Sequence, residues 1–279
     1  MAANNYPARA TLKVSFAAPA VLLVELNRPE EMNSMNRVFW KEYREVFEQV
    51  RSDTDVRAVL VSGGSAKHFT AGLDLKDFTG ALMTGTSEDP ARRALGFRDM
   101  CTAMQASFTA MELCGRPVVA AVQGACIGAG IDLITACDIR YASSDAFFSI
   151  KEVDIGLAAD IGTLQRLPKV VGNDSWVREL AYTGRRFTAS EGLAQGLFSK
   201  VVPREELFAT ALATATEIAS KSPVVTLGIK ESLNYSRDHT VAEGLDHIAV
   251  WNSAMTNTQD MQIAVAANLG KKKAVYPKL

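Results

Sequence analysis

The residues best placed to do chemistry are three acids that interrupt apolar stretches. They are Asp132 in Ile131-Asp132-Leu133-Ile134, Glu152 just after Phe147-Phe148-Ser149-Ile150, and Asp160 closing Ile155-Gly156-Leu157-Ala158-Ala159. An ionised side chain is costly to bury unless something compensates it, so carboxylates in such company read as proton donors and acceptors. A plainer reading stands beside this one. Asp132 and Asp160 also suit helix amino termini, where negative charge complements the dipole, and Glu152 suits a surface pair with Lys151. Taken one at a time, the three acids do not choose between the readings.

Other chemistries find less support. His68, His239 and His247 are widely separated and no G-x-S-x-G accompanies them. Gly63 to Phe69 lacks the Walker spacing, and Gly124, Gly128 and Gly130 do not fit G-x-G-x-x-G, which demotes nucleotide hydrolysis and hydride transfer. Cys101, Cys114, Cys126 and Cys137 form no C-x-x-C and no metal-type cluster with the histidines. They read as reduced, buried thiols of an intracellular protein, and no metal or redox cofactor is expected. The balance of 48% hydrophobic and 22% charged residues is that of a globular chain with a large core, and a net charge of −1 advertises neither a nucleic acid nor a membrane surface as partner. The amino terminus has no continuous apolar run of the secretory kind. Pro277-Lys278-Leu279 is similar to the S-K-L type of peroxisomal address, beside the reading of a chance tail.

The elements that must position the acids alternate in the βαβ manner, which predicts an α/β architecture. Val21 to Leu26 reads as a strand, and Phe39, Tyr43, Val46, Phe47 and Val50 line one face of the helix after it. Arg57 to Ser62 is a second buried strand, running into the glycine-containing GGSAKHFTAGLDL. A long helix over Arg92 to Cys114 leads to the strand Pro117 to Val122 and then to GACIGAGIDLITACD, which repeats the order of strand, glycine-rich turn and helix start. Two such turns give two sets of outward-facing backbone N–H groups. Helices over 205–221, 223–236, 240–256 and 258–270 close the chain, so a core of residues 1–204 is followed by a helical region, 205–279, with apolar faces suited to a neighbouring subunit.

Read together, KHFTAGLDL at 67–75, GACIGAGIDLITACDIR at 124–140, KEVDIGLAADIGTLQRLP at 151–168 and LNRPEEMNSMN at 26–36 resemble the crotonase (enoyl-CoA hydratase/isomerase) superfamily. The resemblance covers about residues 11 to 255 and implies a spiral of ββα turns with a carboxy-terminal helical region that trimerises, commonly into hexamers. It also implies that the N–H groups of Leu73 and Ala129 form an oxyanion hole for a thioester carbonyl. Ala129 stands where glycine is usual, so its methyl group is expected to narrow the pocket. Arg28 and Met32, with the loop to Asn33, are implied on the adenine side, Ala71, Gly72 and Asp74 along the bound thioester, and Lys76 at the coenzyme A phosphates, the last beside the plain reading of a solvated lysine. Coenzyme A would arrive on the substrate, an acyl-CoA thioester.

Hydratases of the family place two glutamates where Asp132 and Glu152 stand, to activate water. Here the usual P-G pair beyond the second acid is Ala159-Asp160, and the three acids together resemble the Δ3,5-Δ2,4-dienoyl-CoA isomerases of fatty-acid β-oxidation. A 1,5 proton shift needs two acid/base groups in different protonation states, because C2 and C6 are too far apart for one short carboxyl. Glu152 is then the base at C2, Asp160 the protonated acid at C6, and Asp132 the group that tunes the pair. The rival expectations are an enoyl-CoA hydratase using Asp132 and Glu152, and, from a different class, a non-catalytic acyl-CoA or RNA-binding scaffold.

Overall fold

The computed structural model of the protein describes residues 5–83 and 88–279. The chain opens with β1 (Leu12–Ala18) and β2 (Val21–Leu26), which pair antiparallel, and continues through α1 (Arg37–Ser52), β3 (Ala58–Ser62), α2 (Leu75–Met83), α3 (Pro90–Glu112) and β4 (Val118–Val122). Next come β5 (Ala125–Ile127), α4 (Ala129–Thr135), β6 (Ile139–Ser143), β7 (Phe147–Ser149), a 3-10 turn over Glu152–Ile155, α5 (Thr163–Val171), α6 (Asp174–Thr183), β8 (Phe187–Thr188), α7 (Ala189–Ala194) and β9 (Lys200–Val202). The helices α8 (Arg204–Ala219), α9 (Pro223–Ser236), α10 (Val241–Met255) and α11 (Gln259–Leu269) complete it. The main sheet has the order β1-β2-β3-β4-β6-β9, parallel from β2 onward, and β5-β7-β8 form a small second sheet.

The predicted α/β class and the strand-turn-helix repeats are what the structure contains. β3 and β4 are buried along their whole length, so they read as continuous apolar runs rather than as alternating ones. Their alternate side chains nevertheless serve two cores. Val59, Val61, Val118 and Ala120 pack toward α1 and α3, whereas Ala58, Leu60, Val119 and Ala121 meet Leu207, Ala211, Ala215 and Ala219 of α8. The alanines at intervals of four on α8 let it lie close to the strands. α8 begins at the division drawn near residue 205 and packs on the core sheet, with α9 to α11 beyond it.

Helix α1 starts where the Asn36 side chain accepts the Phe39 N–H at 3.0 Å, and its aromatic face fastens it to α3. The Tyr43 ring lies 4.9 Å from Phe47 and 5.6 Å from Phe108, the latter edge to face. α3 begins two residues before the expected Arg92, because Asp89 caps it and Pro90 fills its first position. β1, β5, β6, β8 and β9 have no counterpart in the sequence reading; β5 falls inside the stretch read as a glycine-rich turn, and β8 spans only Phe187 and Thr188 and β9 only Lys200–Val202, too short for a period to show.

An ion pair whose lysine is buried ties α9 to the end of the sheet. Lys230 Nζ donates at 2.8 Å to Asp138 and at 2.9 Å to the Arg116 carbonyl, and the same Asp138 oxygen accepts the Val118 N–H at 2.7 Å. Removing Asp138 leaves the Lys230 ammonium buried without its counter-charge. Asp138→Ala should lower the unfolding free energy by about 3 kcal/mol, read in urea melts as a reduced midpoint at unchanged slope.

Candidate active site

The site is made where the turn before α2 approaches the turn before α4. Thr70 N–H donates to Ala125 O at 3.0 Å and Ile127 N–H returns to Thr70 O at 3.2 Å, a short parallel bridge between the two segments. A second bridge joins Met35 to Leu73 through Met35 N–H to Gly72 O at 2.8 Å and Asp74 N–H to Met35 O at 3.0 Å. Between them Gly72 adopts φ +86°, and a β-carbon there would lie 2.5 Å from Ile127 O. Only glycine lets the strands meet this closely.

The Leu73 and Ala129 N–H groups face the resulting gap, and among the described residues neither has a hydrogen-bond acceptor. The β-carbon position of Gly72 is 3.3 Å from Ala129 N, which places the two turns side by side. The neighbours of Ala129 explain why alanine fits there. Gly128 has φ +52° and a β-carbon would press on Glu152, while one on Gly130 would stand 2.5 Å from Thr70 Cγ2. Ala129 itself begins α4, with its methyl group accommodated in the cavity wall.

The cavity beyond these donors is about 100 Å³ and mostly apolar, with Leu73, Phe78, Met104, Ile155, Leu157 and Ile161 around it. Glu152 and Asp160 both line it, and Asp132 does not. Asp132 lies behind the wall, 1% exposed, where its Oδ1 accepts the Thr163 N–H at 2.5 Å and so caps α5. Among the described residues its Oδ2 has no hydrogen-bond partner, nor has Oε2 of Glu152. Burial pushes the Asp132 carboxyl up to about 6, against the hydrogen bonding from Thr163. Burial, and next the charge of Asp132, push Glu152 up to about 7. Lys151 pairs with Asp154, not with Glu152, so the plain surface reading of Glu152 fails.

Asp160 is held from α3. The Cys101 thiol donates to Asp160 Oδ2 at 2.8 Å and Gln105 Nε2 donates to the Asp160 carbonyl at 2.7 Å. The sequence alone marks neither residue, and Cys101, expected as a buried thiol, is half-buried. Phe78, Met104 and Ile161 were missed as well, since nothing in a lone apolar residue marks it as cavity wall.

The residues expected along the coenzyme divide in two. Arg28 is engaged with Asp74 at 3.0 Å and with Ser34, so this pair ties the 27–34 loop to the turn at 71–74. The Met32 carbonyl accepts the Ala71 N–H at 2.9 Å while its side chain stays exposed at the rim, as does Lys76, whose ammonium has no ion-pair partner among the described residues. The histidines lie elsewhere: His68 Nδ1 accepts the Ala125 N–H, and His239 and His247 stack on Tyr235.

Two unpaired N–H donors facing one end of an apolar cavity that carries two carboxyls suit an enzyme that builds and quenches an enolate. A family model described as enoyl-CoA hydratase/isomerase matches residues 17–278, and the chain belongs to that family. Over 264 residues it is 51% identical to the mitochondrial Delta(3,5)-Delta(2,4)-dienoyl-CoA isomerase of Homo sapiens, covering 94% of this chain and 80% of that one. The peroxisomal enzyme of the same name from Arabidopsis thaliana is 43% identical, with 91% of each chain covered. Among solved structures, the enoyl-CoA hydratase from Bacillus anthracis superposes with a TM-score of 0.86 at 28% identity, covering 95% of this chain and 98% of that one.

Because Asp132 acts on Glu152 through its charge, Asp132→Asn should keep the cap on α5 and lower the Glu152 midpoint from about 7. Infrared titration of the carboxyl bands checks this; an unmoved midpoint contradicts the electrostatic coupling.

Proposed function

We propose that the chain is a Δ3,5-Δ2,4-dienoyl-CoA isomerase that converts a 3,5-dienoyl thioester to its 2,4-isomer by a 1,5 proton shift. The observation that carries this reading is that Glu152 and Asp160 open onto one cavity while Asp132 stands behind its wall. Glu152, beside Gly128 and therefore next to the Leu73 and Ala129 donors, is placed for C2. Ionised, it takes the C2 proton; the electron pair spreads through the diene to C6 and onto the thioester oxygen, where the two N–H groups meet the developing charge. Asp160 gives its proton to C6, and the proton then returns from Glu152 to Asp160 to reset the pair. A midpoint near 7 suits a base that must both gain and lose a proton at neutral pH.

The hydratase alternative needs Asp132 and Glu152 to share a water against the reacting carbons. An Asp132 carboxyl held by Thr163 behind the wall does not favour it. Carbons beyond C6 have a continuation in a second cavity, about 440 Å³, which shares Leu73, Phe78 and Met104 with the first, reaches Trp40 and Met100, and is also lined by charged residues of α1 such as Lys41 and Glu45.

Coenzyme A enters as part of the substrate, with Lys76 at its phosphates and Arg28, Met32, Ala71, Gly72 and Asp74 shaping its path. Exposed Val241, Leu245 and Val250 on α10 and Leu233 on α9 support a homotrimer or a hexamer of two trimers. The compartment we assign is an organelle of fatty-acid oxidation.

Purified protein given 3,5-octadienoyl-CoA should produce the conjugated 2,4-diene absorbance rapidly while hydrating crotonyl-CoA little; the opposite pattern would return Asp132 and Glu152 to a water-activating role. Asp160→Asn should lower the rate by at least about a hundredfold with thioester affinity nearly unchanged. The rate of the wild type should rise with pH through about 7, as Glu152 loses its proton, and fall about tenfold per unit below that.

A further inference from the structure

We propose that Cys101 is a positioning residue for the reaction: its thiol pins Asp160 Oδ2 and leaves Oδ1 as the oxygen that carries the transferred proton. This rests on the isomerase reading above and adds to it a residue outside the three acids.

The hydrogen bond from Cys101 Sγ to Asp160 Oδ2, at 2.8 Å, joins residues 59 apart in the chain. Two other thiols of the protein spend their protons on backbone carbonyls, Cys114 on Arg116 O at 3.3 Å and Cys137 on Leu133 O, one turn back on its own helix segment, at 3.5 Å. Cys101, on the other hand, points away from its own helix to a carboxyl that lines the reaction cavity. Four residues on, and so on the same face of α3, Gln105 Nε2 holds the Asp160 backbone at 2.7 Å. Backbone and side chain of the acid are therefore both gripped by one helix.

The thiol is suited to this because it is a donor that stays protonated. Burial, and then the hydrogen bond to Asp160, push it up to about 12, so it remains S–H across the working range and does not compete as a base. A carboxyl has two oxygens that can carry the proton in solution. With Oδ2 occupied as an acceptor, a proton carried by this carboxyl has its place on Oδ1, which accepts no hydrogen bond among the described residues. The donor thus selects one protonation isomer and one rotamer, a restriction that raises the fraction of bound molecules ready to react and leaves substrate binding alone. Serine keeps a donor at this position; alanine removes it without disturbing the helix.

Steady-state kinetics and difference infrared spectroscopy test this together. Cys101→Ala should lower kcat roughly fivefold, the factor one ordinary hydrogen bond carries, with KM and melting temperature unchanged, and Cys101→Ser should restore most of kcat. In the wild-type minus Cys101→Ser spectrum the S–H stretch should lie at lower frequency than a free thiol, and Asp160→Ala should return it to the free position. Wild-type kcat in Cys101→Ala, or an S–H band that ignores Asp160→Ala, overturns the role of Cys101. The band reports the contact without any turnover, so it separates the two ideas: if the band behaves as expected while Asp160→Asn keeps full isomerase activity, the proton-donor role of Asp160 falls, and the positioning role with it.

Discussion

The close approach of two backbone turns at Gly72 is the constraint on which the site depends. A β-carbon at that position would sit 2.5 Å from the Ile127 carbonyl, inside any tolerable contact. The bridges from Thr70 to Cys126 and from Met35 to Leu73 hold the approach from both ends. Neighbouring N–H groups of the turns are spent elsewhere, Ala71 on Met32 O, Gly72 on Thr70 Oγ1 and Gly128 on Ser149 O, whereas those of Leu73 and Ala129 have no acceptor among the described residues. Fixed donors that need no reorganisation are worth more to a developing charge than mobile ones. The parallel sheet matters to function chiefly because β3 and β4 deliver these two turns side by side at the same edge.

The acids obey a second constraint, the cost of burying charge. Three carboxyls close together in an apolar surround cannot all be ionised at neutral pH. The fold treats them differently. Asp132 keeps one oxygen on the amino terminus of α5, a fixed contact that makes it a stationary source of potential. Glu152 has no such anchor for Oε2 and is raised further, by burial and by Asp132. Asp160 is gripped by α3 instead. A proton-transfer pair needs one member with freedom to change state and another held in geometry, the parts that the proposed mechanism gives to Glu152 and Asp160.

Much of this was legible in the sequence because the signals are local. The α1 face, the buried runs of β3 and β4 and the glycine-rich turns each carry their pattern within about a dozen residues, and the three acids stood out against apolar neighbours. What was hidden is what depends on distance along the chain. Cys101 and Gln105 meet Asp160 only after α3 has crossed the sheet, and Arg28 meets Asp74 only after the 27–34 loop has folded onto the turn. The sequence also could not separate Asp132 from its two companions. All three interrupt apolar runs; only packing puts one behind the wall and two in front of it. The methyl group of Ala129 illustrates the same limit, since only the folded turns show that it lines the cavity between two glycines that make close contacts of their own.

Hydration and isomerisation ask different things of the same oxyanion hole. Both stabilise charge on the thioester oxygen, but hydration needs polar groups crowded near C3 to hold water, whereas a 1,5 shift needs proton carriers separated by the length of a diene and water kept away. In this chain the acid that a hydratase would aim at C3 is turned into a helix cap, and Leu73, Leu157, Ile161 and Met104 line the cavity that Glu152 and Asp160 share. In the proposed reaction acid chemistry thereby moves outward along the acyl chain, to Asp160, which α3 holds. The long helix, which contributes nothing to the oxyanion hole, is in this way the element that separates the two chemistries within one fold.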